Sequence, residues 1–201
     1  MSDIRDPQAF LGQGPRHPDA LAVLMEEYRA MYSLVLYRLS ALDQRIPIAT
    51  AAITTVFGSI AVLPETLQIV LLIAVPLSLV WLVATTTNHA RSLEDAFRRI
   101  EVIELSANAT AKLQVMAFQS THPSRGKRVG GRTGQNTVDA VSATALLLIT
   151  GCYFLAVQLV QSMWHTAYCL YVAVTLAAMW RIVRSVRRYA YVTTPATSFA
   201  Q

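Results

Sequence analysis

Basic residues are nearly absent from four long apolar segments of this chain: of its 17 lysine and arginine residues, only Arg181 lies inside one, near its end. The segments are Ile46–Leu63, Leu67–Thr87, Val138–Val160 and Trp164–Val183. A helix rises about 1.5 Å per residue, so each segment is long enough to cross a hydrocarbon layer of about 30 Å. The pattern therefore predicts a membrane protein with four spans.

The turns that join the paired segments are short and also lack basic residues. They comprise Pro64–Thr66 and Gln161–Met163. Because lysine and arginine are retained on the cytoplasmic side of a membrane, both termini and the central loop are predicted to be cytoplasmic. The two tight turns then face outward, and the protein is expected to be a multi-pass protein of the inner (plasma) membrane.

Charged residues make up 14 % of the chain and hydrophobic residues 54 %, a balance that is unusual for a soluble domain. The two cysteines, Cys152 and Cys169, fall inside membrane segments, which favours apolar packing over a disulfide or a metal pair. The net charge of +5 fits cytoplasmic loops that lie against anionic lipid headgroups, so nucleic-acid binding is not expected. Because Met1–Asp19 has no apolar stretch, the first span is expected to direct insertion.

The chain divides into predicted parts at these composition changes. They are a disordered cytoplasmic tail (1–18), a cytoplasmic amphipathic helix (19–45), the first span (46–63), the second span (67–87), a cytoplasmic helix (88–118), a basic glycine-rich loop (119–137), the third span (138–160), the fourth span (164–183) and a basic cytoplasmic C terminus (184–201).

Apolar residues in 19–45 and 88–118 recur every three or four positions, the spacing of one helix face. They include Leu21, Met25, Tyr28 and Tyr32 in the first region and Leu93, Phe97, Ile100 and Ile103 in the second. Since the first two spans are joined by a short turn, their cytoplasmic ends emerge side by side and these stripes face one another. The predicted fold class is an all-α membrane protein: four transmembrane helices as two hairpins, N-in and C-in, with a coiled-coil-like cytoplasmic hairpin extending from spans 1 and 2.

The loop at 119–137 combines four glycines with four basic residues. The basic residues are Arg125, Lys127, Arg128 and Arg132. Glycines permit positive φ angles at which backbone N–H groups converge on an anion. The loop lacks the glycine spacing of a nucleotide-binding P-loop. Three interpretations stay open: a linker attracted to anionic lipid headgroups, a specific site for a phosphorylated ligand, and a docking site for a cytoplasmic protein partner.

Aspartate, glutamate, lysine and arginine are missing from the middle of the four segments, since Asp139 lies at a cytoplasmic entrance and Glu65 in an outer turn. A charge near the bilayer centre costs about 2.5–3.5 kcal/mol on insertion scales and persists where it relays protons or binds ions. This pattern argues against a proton-coupled carrier. No histidine, serine or cysteine has partners at catalytic or ligand spacing, so the sequence predicts no enzyme, no cofactor and no metal site.

Mildly polar residues remain on the first and third spans. Those singled out as pore-lining or packing residues are Thr54, Ser59, Thr144, Gly151 and Gln158. The last three recur every seven residues, so they lie near one helix face and are able to line a narrow aqueous path. Small residues also let helices approach closely, and threonine hydroxyls bond to the preceding turn. Helix packing is the favoured interpretation.

Three stretches of the chain resemble segments of small bacterial four-span membrane proteins to which no activity is assigned. The stretches are EEYRAMYSLVLYRLSALDQRIPI, NHARSLEDAFRRIEVIEL and HPSRGKRVGGRTG. The resemblance implies two membrane hairpins with a cytoplasmic helical extension between them. It supplies no site residues.

Two classes of function are compatible with these patterns. In the first, copies of the chain assemble into a homo-oligomeric channel whose cytoplasmic helices and basic loop sense a ligand or partner. Bacterial membrane effectors of stress or antiphage defence have this general build, which is an analogy of architecture only. In the alternative, the protein is a non-conducting scaffold that docks a soluble partner through its cytoplasmic helices.

Overall fold

The computed structural model describes residues 20–60, 62–114, 116–121, 128–159 and 162–189. Within these ranges the regular structure is entirely helical, which confirms the all-α fold class. The helices are α1 (Ala20–Asp43), α2 (Arg45–Ile60), α3 (Glu65–Ala111), α4 (Gly131–Leu159) and α5 (Ser162–Tyr189). The predicted tail at 1–18 lies outside the described residues.

Three of the described helices are long and apolar enough to cross a membrane. The stretches that qualify are Leu67–Ala111, Gly131–Leu159 and Trp164–Val186. The first predicted span, Ile46–Leu63, corresponds to a helix of only 16 residues, about 24 Å long. This helix stops at Ile60 because the N–H groups of Val62 and Leu63 both turn back to the Ser59 carbonyl, at 3.1 Å each.

The helix predicted to run from 19 to 45 ends at Asp43, and α2 restarts at Arg45 after a turn at Gln44. The interruption is slight. The Gln44 N–H donates to the Ser40 carbonyl at 3.1 Å, and the Ile48 N–H to the Gln44 carbonyl at 3.3 Å. Pro47 then occupies the first turn of α2, where its missing N–H removes no helical hydrogen bond.

Helix α3 is the central element of the fold. Its 47 residues extend about 70 Å and continue without a break from the second predicted span into the predicted cytoplasmic helix. All four other helices pack against it. Helix α3 therefore connects the parts of the molecule that the other helices form.

The larger of the apolar cores lies among α2, α3, α4 and α5. Its buried residues on α3 and α4 recur at helical spacing. They include Leu72, Leu79, Val83, Val141, Ala145, Leu148, Ile149 and Cys152. Ala49 from α2 and Val172 and Met179 from α5 pack against them. Because these side chains fill the space between the helices, the interior of one copy is apolar.

A second, smaller core joins α1 to the C-terminal half of α3. Its buried residues are Val35, Leu42, Leu93, Ala96 and Ile100. At the edge of this core, Arg99 donates two hydrogen bonds to one carboxylate oxygen of Glu27, at 2.6 and 2.9 Å. Arg99 and Glu27 are 55 % and 36 % exposed, so this pair positions the helices more than it stabilises them.

Pro76 lies inside α3, within the second predicted span. Proline has no N–H, so the carbonyl of Leu72, four residues earlier, loses its helical donor. The Tyr168 hydroxyl of α5 donates to that carbonyl at 3.0 Å, and the Tyr171 hydroxyl donates to the Ile73 carbonyl at 2.5 Å. Helix α5 thus supplies from the side the hydrogen bond that the proline removes.

Replacing Tyr168 by Phe is expected to destabilise the folded protein by about 1 kcal/mol, because the Leu72 carbonyl is left without a donor in an apolar environment. The measurement is unfolding in mixed micelles of increasing SDS content. The matched control is the same change in a Pro76→Ala background, where the restored backbone N–H bonds the carbonyl and the cost should shrink. Equal costs in both backgrounds would contradict this role for Tyr168.

Candidate functional site

The C-terminal end of α3 lies seven residues before the predicted end at Phe118. Lys112 adopts the left-handed conformation (φ 52°, ψ 27°), and its N–H closes the helix on the Asn108 carbonyl. The Asn108 side chain then accepts a hydrogen bond from the Met116 N–H at 2.9 Å and donates one to the Met116 carbonyl at 2.5 Å. The chain therefore turns back along α3 instead of extending the helix.

A buried carboxylate holds the returning segment. Glu104 on α3 is fully buried. Its two carboxylate oxygens accept the N–H of Gln119 at 2.9 and 3.1 Å, and one of them accepts the N–H of Ser120 at 2.9 Å. A carboxylate is acceptor-only when ionised, so donors that converge on it compensate its burial. Glu104 thus anchors the N-terminal end of the basic loop to α3.

A second buried carboxylate anchors the other end of the loop. Glu94, 7 % exposed, accepts the Gly130 N–H at 3.0 Å and lies 3.4 Å from the Arg98 guanidinium. Beside it, Val129 is buried against Ala90 together with Val138 and Val186. Both ends of the loop are therefore attached to the same helix, about three turns apart.

The glycines at the end of the loop allow this close approach. Gly130 and Gly131 have φ angles of 67° and 69°, which non-glycine residues rarely adopt. A Cβ atom on Gly130 would lie 2.8 Å from the Ala90 carbonyl oxygen, and one on Gly134 would lie 2.9 Å from the Val129 carbonyl oxygen. Since the chain reverses here, α4 begins at Gly131, so residues 131–137 of the predicted loop belong to a helix and the connection between α3 and α4 lies seven residues earlier than predicted.

The end of α5 also contacts this part of α3. The Tyr189 hydroxyl donates to Asp95 at 2.5 Å, and the Tyr189 carbonyl accepts from Arg98 at 3.1 Å. The guanidinium carbons of Arg91 and Arg98 lie 5.7 and 5.2 Å from the Tyr189 ring centre, within cation–π range. The hydrogen bond to Asp95, with burial, raises the pKa of the Tyr189 hydroxyl. The end of α5 is thus joined to this part of α3 through polar contacts.

A cavity of about 260 Å³ lies where α1, α3, the turn at 118–121 and the start of α4 meet. We call it the junction cavity. Its apolar lining consists of Tyr32, Val35, Leu36, Leu39, Phe97 and Phe118. Its charged lining consists of Glu94, Arg98, Glu101, Arg128 and Arg132. The cavity lining is therefore partly apolar and partly charged, with the exposed Arg128 and Arg132 at its rim.

The arginines of the junction cavity differ in their partners. The Arg98 guanidinium forms an ion pair with Glu94 and donates a hydrogen bond to the Tyr189 carbonyl. Arg128 and Arg132 are exposed, and within the described ranges neither makes an ion pair or a hydrogen bond. The other two basic residues of the predicted anion site, Arg125 and Lys127, lie outside the described residues. Two uncommitted positive charges thus face a partly apolar cavity.

The residues predicted to line a pore or a packing face lie away from this cavity. The hydroxyls of Thr54 and Ser59 donate to the carbonyls four residues earlier, at 3.2 and 2.6 Å. On α4, Thr144 and Gly151 are half-buried and Gln158 is exposed. The backbone bonds of the two hydroxyls fit the packing interpretation, and a pore-lining role for these residues stays a prediction.

Sequence reasoning missed the anchoring roles of Glu94, Glu104 and Asn108. A signal was present: Leu93, Ile100 and Ala107 form the buried stripe of α3, and Glu104 falls four residues after Ile100 on the same face. A carboxylate on a buried stripe requires donors, and those donors come from the loop.

Comparison of the chain with family models, with curated proteins and with solved structures gave no match. Among the described residues, no group of three or more histidine, cysteine, aspartate or glutamate side chains has the arrangement of a metal site.

Proposed function

We propose that this protein is a homo-oligomeric channel or membrane effector of a bacterial inner membrane, controlled by a ligand or partner on its cytoplasmic side. In this proposal α2, α3, α4 and α5 all span the membrane, and both termini and the loop between α3 and α4 are cytoplasmic. The distribution of lysine and arginine along the sequence supports that orientation. The short α2 requires local thinning of the bilayer or flanking residues that complete the crossing.

The observation that carries the proposal is the continuity of the cavity walls with the membrane helices. Helix α3 contributes Phe97 and Glu94 to the junction cavity and Leu72 and Leu79 to the apolar core. Helix α4 begins in the cavity wall at Gly131 and continues to Leu159. A ligand that changes the separation of α3 and α4 at the cavity therefore changes their packing in the membrane.

The proposal requires several copies. The core between the helices of one chain is filled by apolar side chains, so an aqueous path has to form between copies. Closed cyclic assembly is the usual way in which one chain makes such a path. The exposed polar side chains of Thr54 and Gln158 are the candidates to line it.

We expect purified protein in liposomes to pass ions when it has the mass of a defined oligomer, measured by dye-reported flux with mass determination in the same membrane. Gln158→Leu is expected to change the flux if Gln158 lines the path. The control is Leu147→Ala on the same helix, because Leu147 is exposed and its loss leaves the core packing intact. Cys152→Ala would not serve, because Cys152 is buried and its replacement opens a cavity. A monomeric state in detergent and bilayers, or no flux from folded and inserted protein, would overturn the channel proposal.

One observation favours the alternative, a non-conducting scaffold. Helix α1 carries exposed apolar side chains: Val23, Leu36 and Tyr37 are 65 %, 53 % and 73 % exposed. Leu21 and Tyr32 are 38 % and 40 % exposed, while Met25 and Tyr28 are half-buried. Such a face suits a soluble partner helix. Protection of these residues from cysteine labelling in the assembled oligomer would instead assign the face to contacts between copies.

A further inference from the structure

The lining of the junction cavity combines exposed apolar side chains with exposed guanidinium groups. On its apolar wall, Phe118, Leu36 and Tyr32 remain 60 %, 53 % and 40 % exposed although they line a cavity. On its rim, Arg128 and Arg132 have no anionic partner among the described residues. A ligand that covers exposed apolar groups removes their surface from water, which is favourable. A ligand with an anionic group also forms charge-assisted hydrogen bonds with the guanidinium groups.

We propose that the junction cavity binds a small organic phosphate, with the phosphate held by Arg128 and Arg132 and its apolar or aromatic part placed against Phe97 and Phe118. The regulatory role of this site rests on the proposed function, in which binding at the cavity controls the membrane helices. The binding itself is a property of the cavity and is measured separately.

The charges select a phosphate over a carboxylate. Glu94 is neutralised by Arg98 and by the Gly130 N–H, so it does not repel an anion at the rim. Two further guanidinium groups match a group with two negative charges, and guanidinium forms paired hydrogen bonds with phosphate oxygens. Glu101 also lines the cavity.

The size and position of the cavity restrict the rest of the ligand. A volume of about 260 Å³ lies just below the usual range of about 300–1,000 Å³ for ligand pockets. This accommodates one ring system or a glycerol unit with a phosphate. Arg132 lies six residues before Val138, about 9 Å above the predicted membrane surface. A cytoplasmic mononucleotide and an anionic lipid headgroup both carry this chemistry, and the headgroup layer ends close to that height.

The test is equilibrium binding to the full-length protein in nanodiscs, with two arms that separate these sources. The first arm titrates AMP into protein in phosphatidylcholine nanodiscs by calorimetry. The second compares nanodiscs with and without phosphatidic acid, with bound lipid read by native mass spectrometry. We expect binding in one arm, weakened about tenfold or more by the double substitution R128Q and R132Q, because both charge-assisted contacts are lost.

Two variants make the result specific. Arg29→Gln, which removes an exposed arginine paired with Glu26 on α1, should leave binding unchanged. Phe118→Ala should weaken the binding of AMP or phosphatidic acid but leave the binding of inorganic phosphate unchanged. The melting temperature of the double variant should match that of the parent, since both side chains are exposed. Absence of binding in both arms, or binding that the double substitution leaves intact, would overturn the inference.

The outcomes also separate this inference from the proposed function. Binding that depends on Arg128 and Arg132 but leaves ion flux unchanged would retain the site and remove its control of a channel. Flux from a defined oligomer without binding in either arm would retain the channel and remove the ligand site.

Discussion

Replacing Gly130 by Ala is expected to destabilise the protein by about 2–4 kcal/mol, an effect that combines backbone strain and a steric clash. Gly130 has a φ of 67°, which costs about 1–2 kcal/mol for an L residue. Its new Cβ would lie 2.8 Å from the Ala90 carbonyl oxygen, and real Cβ contacts are essentially never so short. Relief requires the start of α4 to move away from α3, which also lengthens the hydrogen bond from the Gly130 N–H to Glu94.

Unfolding of the variant in mixed micelles of increasing SDS content measures this loss. The matched control is Gly58→Ala on α2, where a Cβ would meet nothing within 4 Å. Alanine is favoured over glycine in a helix by up to about 1 kcal/mol, so the control should be neutral or slightly stabilised. Equal stability of the Gly130→Ala variant and the parent would show that α4 does not pack on Ala90 in the way described.

Replacing Glu104 by Leu is expected to destabilise the protein by about 2–3 kcal/mol and to release the turn at 116–121 from α3. The carboxylate is the acceptor for the N–H groups of Gln119 and Ser120, and leucine leaves both without one. A partly buried donor without a partner costs about 1–3 kcal/mol, while removal of the buried charge itself relieves part of that cost. Glu104→Gln retains one carbonyl oxygen and should show a smaller loss.

The readouts are the unfolding transition and amide hydrogen exchange of the 116–121 segment. Faster exchange confined to that segment is the signature of a lost anchor, because a general loss of packing would speed exchange in α1 and α3 as well. Glu26→Gln serves as the control, since Glu26 is 77 % exposed and its pair with Arg29 contributes little. Unchanged exchange in Glu104→Leu would be incompatible with anchoring by this carboxylate.

The two variants also bear on the junction cavity. Glu104 and Gly130 lie at opposite ends of the basic loop, and each holds one end against α3. If the cavity binds an organic phosphate, loosening either end should weaken binding without removing a basic residue. The position of Arg128 and Arg132 is thus a consequence of the anchors and not only of their place in the sequence.

Helical structure and the division into apolar segments and basic connections were predictable from the sequence. Both depend on neighbouring residues: hydrophobic runs mark helices such as α3 and α4, and apolar residues every three or four positions mark the packed face of α1. The boundaries were less predictable. Helix α2 ends at Ile60 and α3 at Ala111 because of backbone turns whose hydrogen bonds no periodic pattern specifies.

The sequence by itself determined that the described part of this chain is helical, and that the chain is apolar in long segments and basic in the connections between them, because composition and periodicity are local properties. Only the tertiary structure decided how the loop is held and how the proline is accommodated. Glu94 meets Gly130 across 36 positions, Glu104 meets Gln119 across 15, and Tyr168 meets Leu72 across 96. Such pairs depend on helix packing, which brings together residues whose relation the linear order does not reveal.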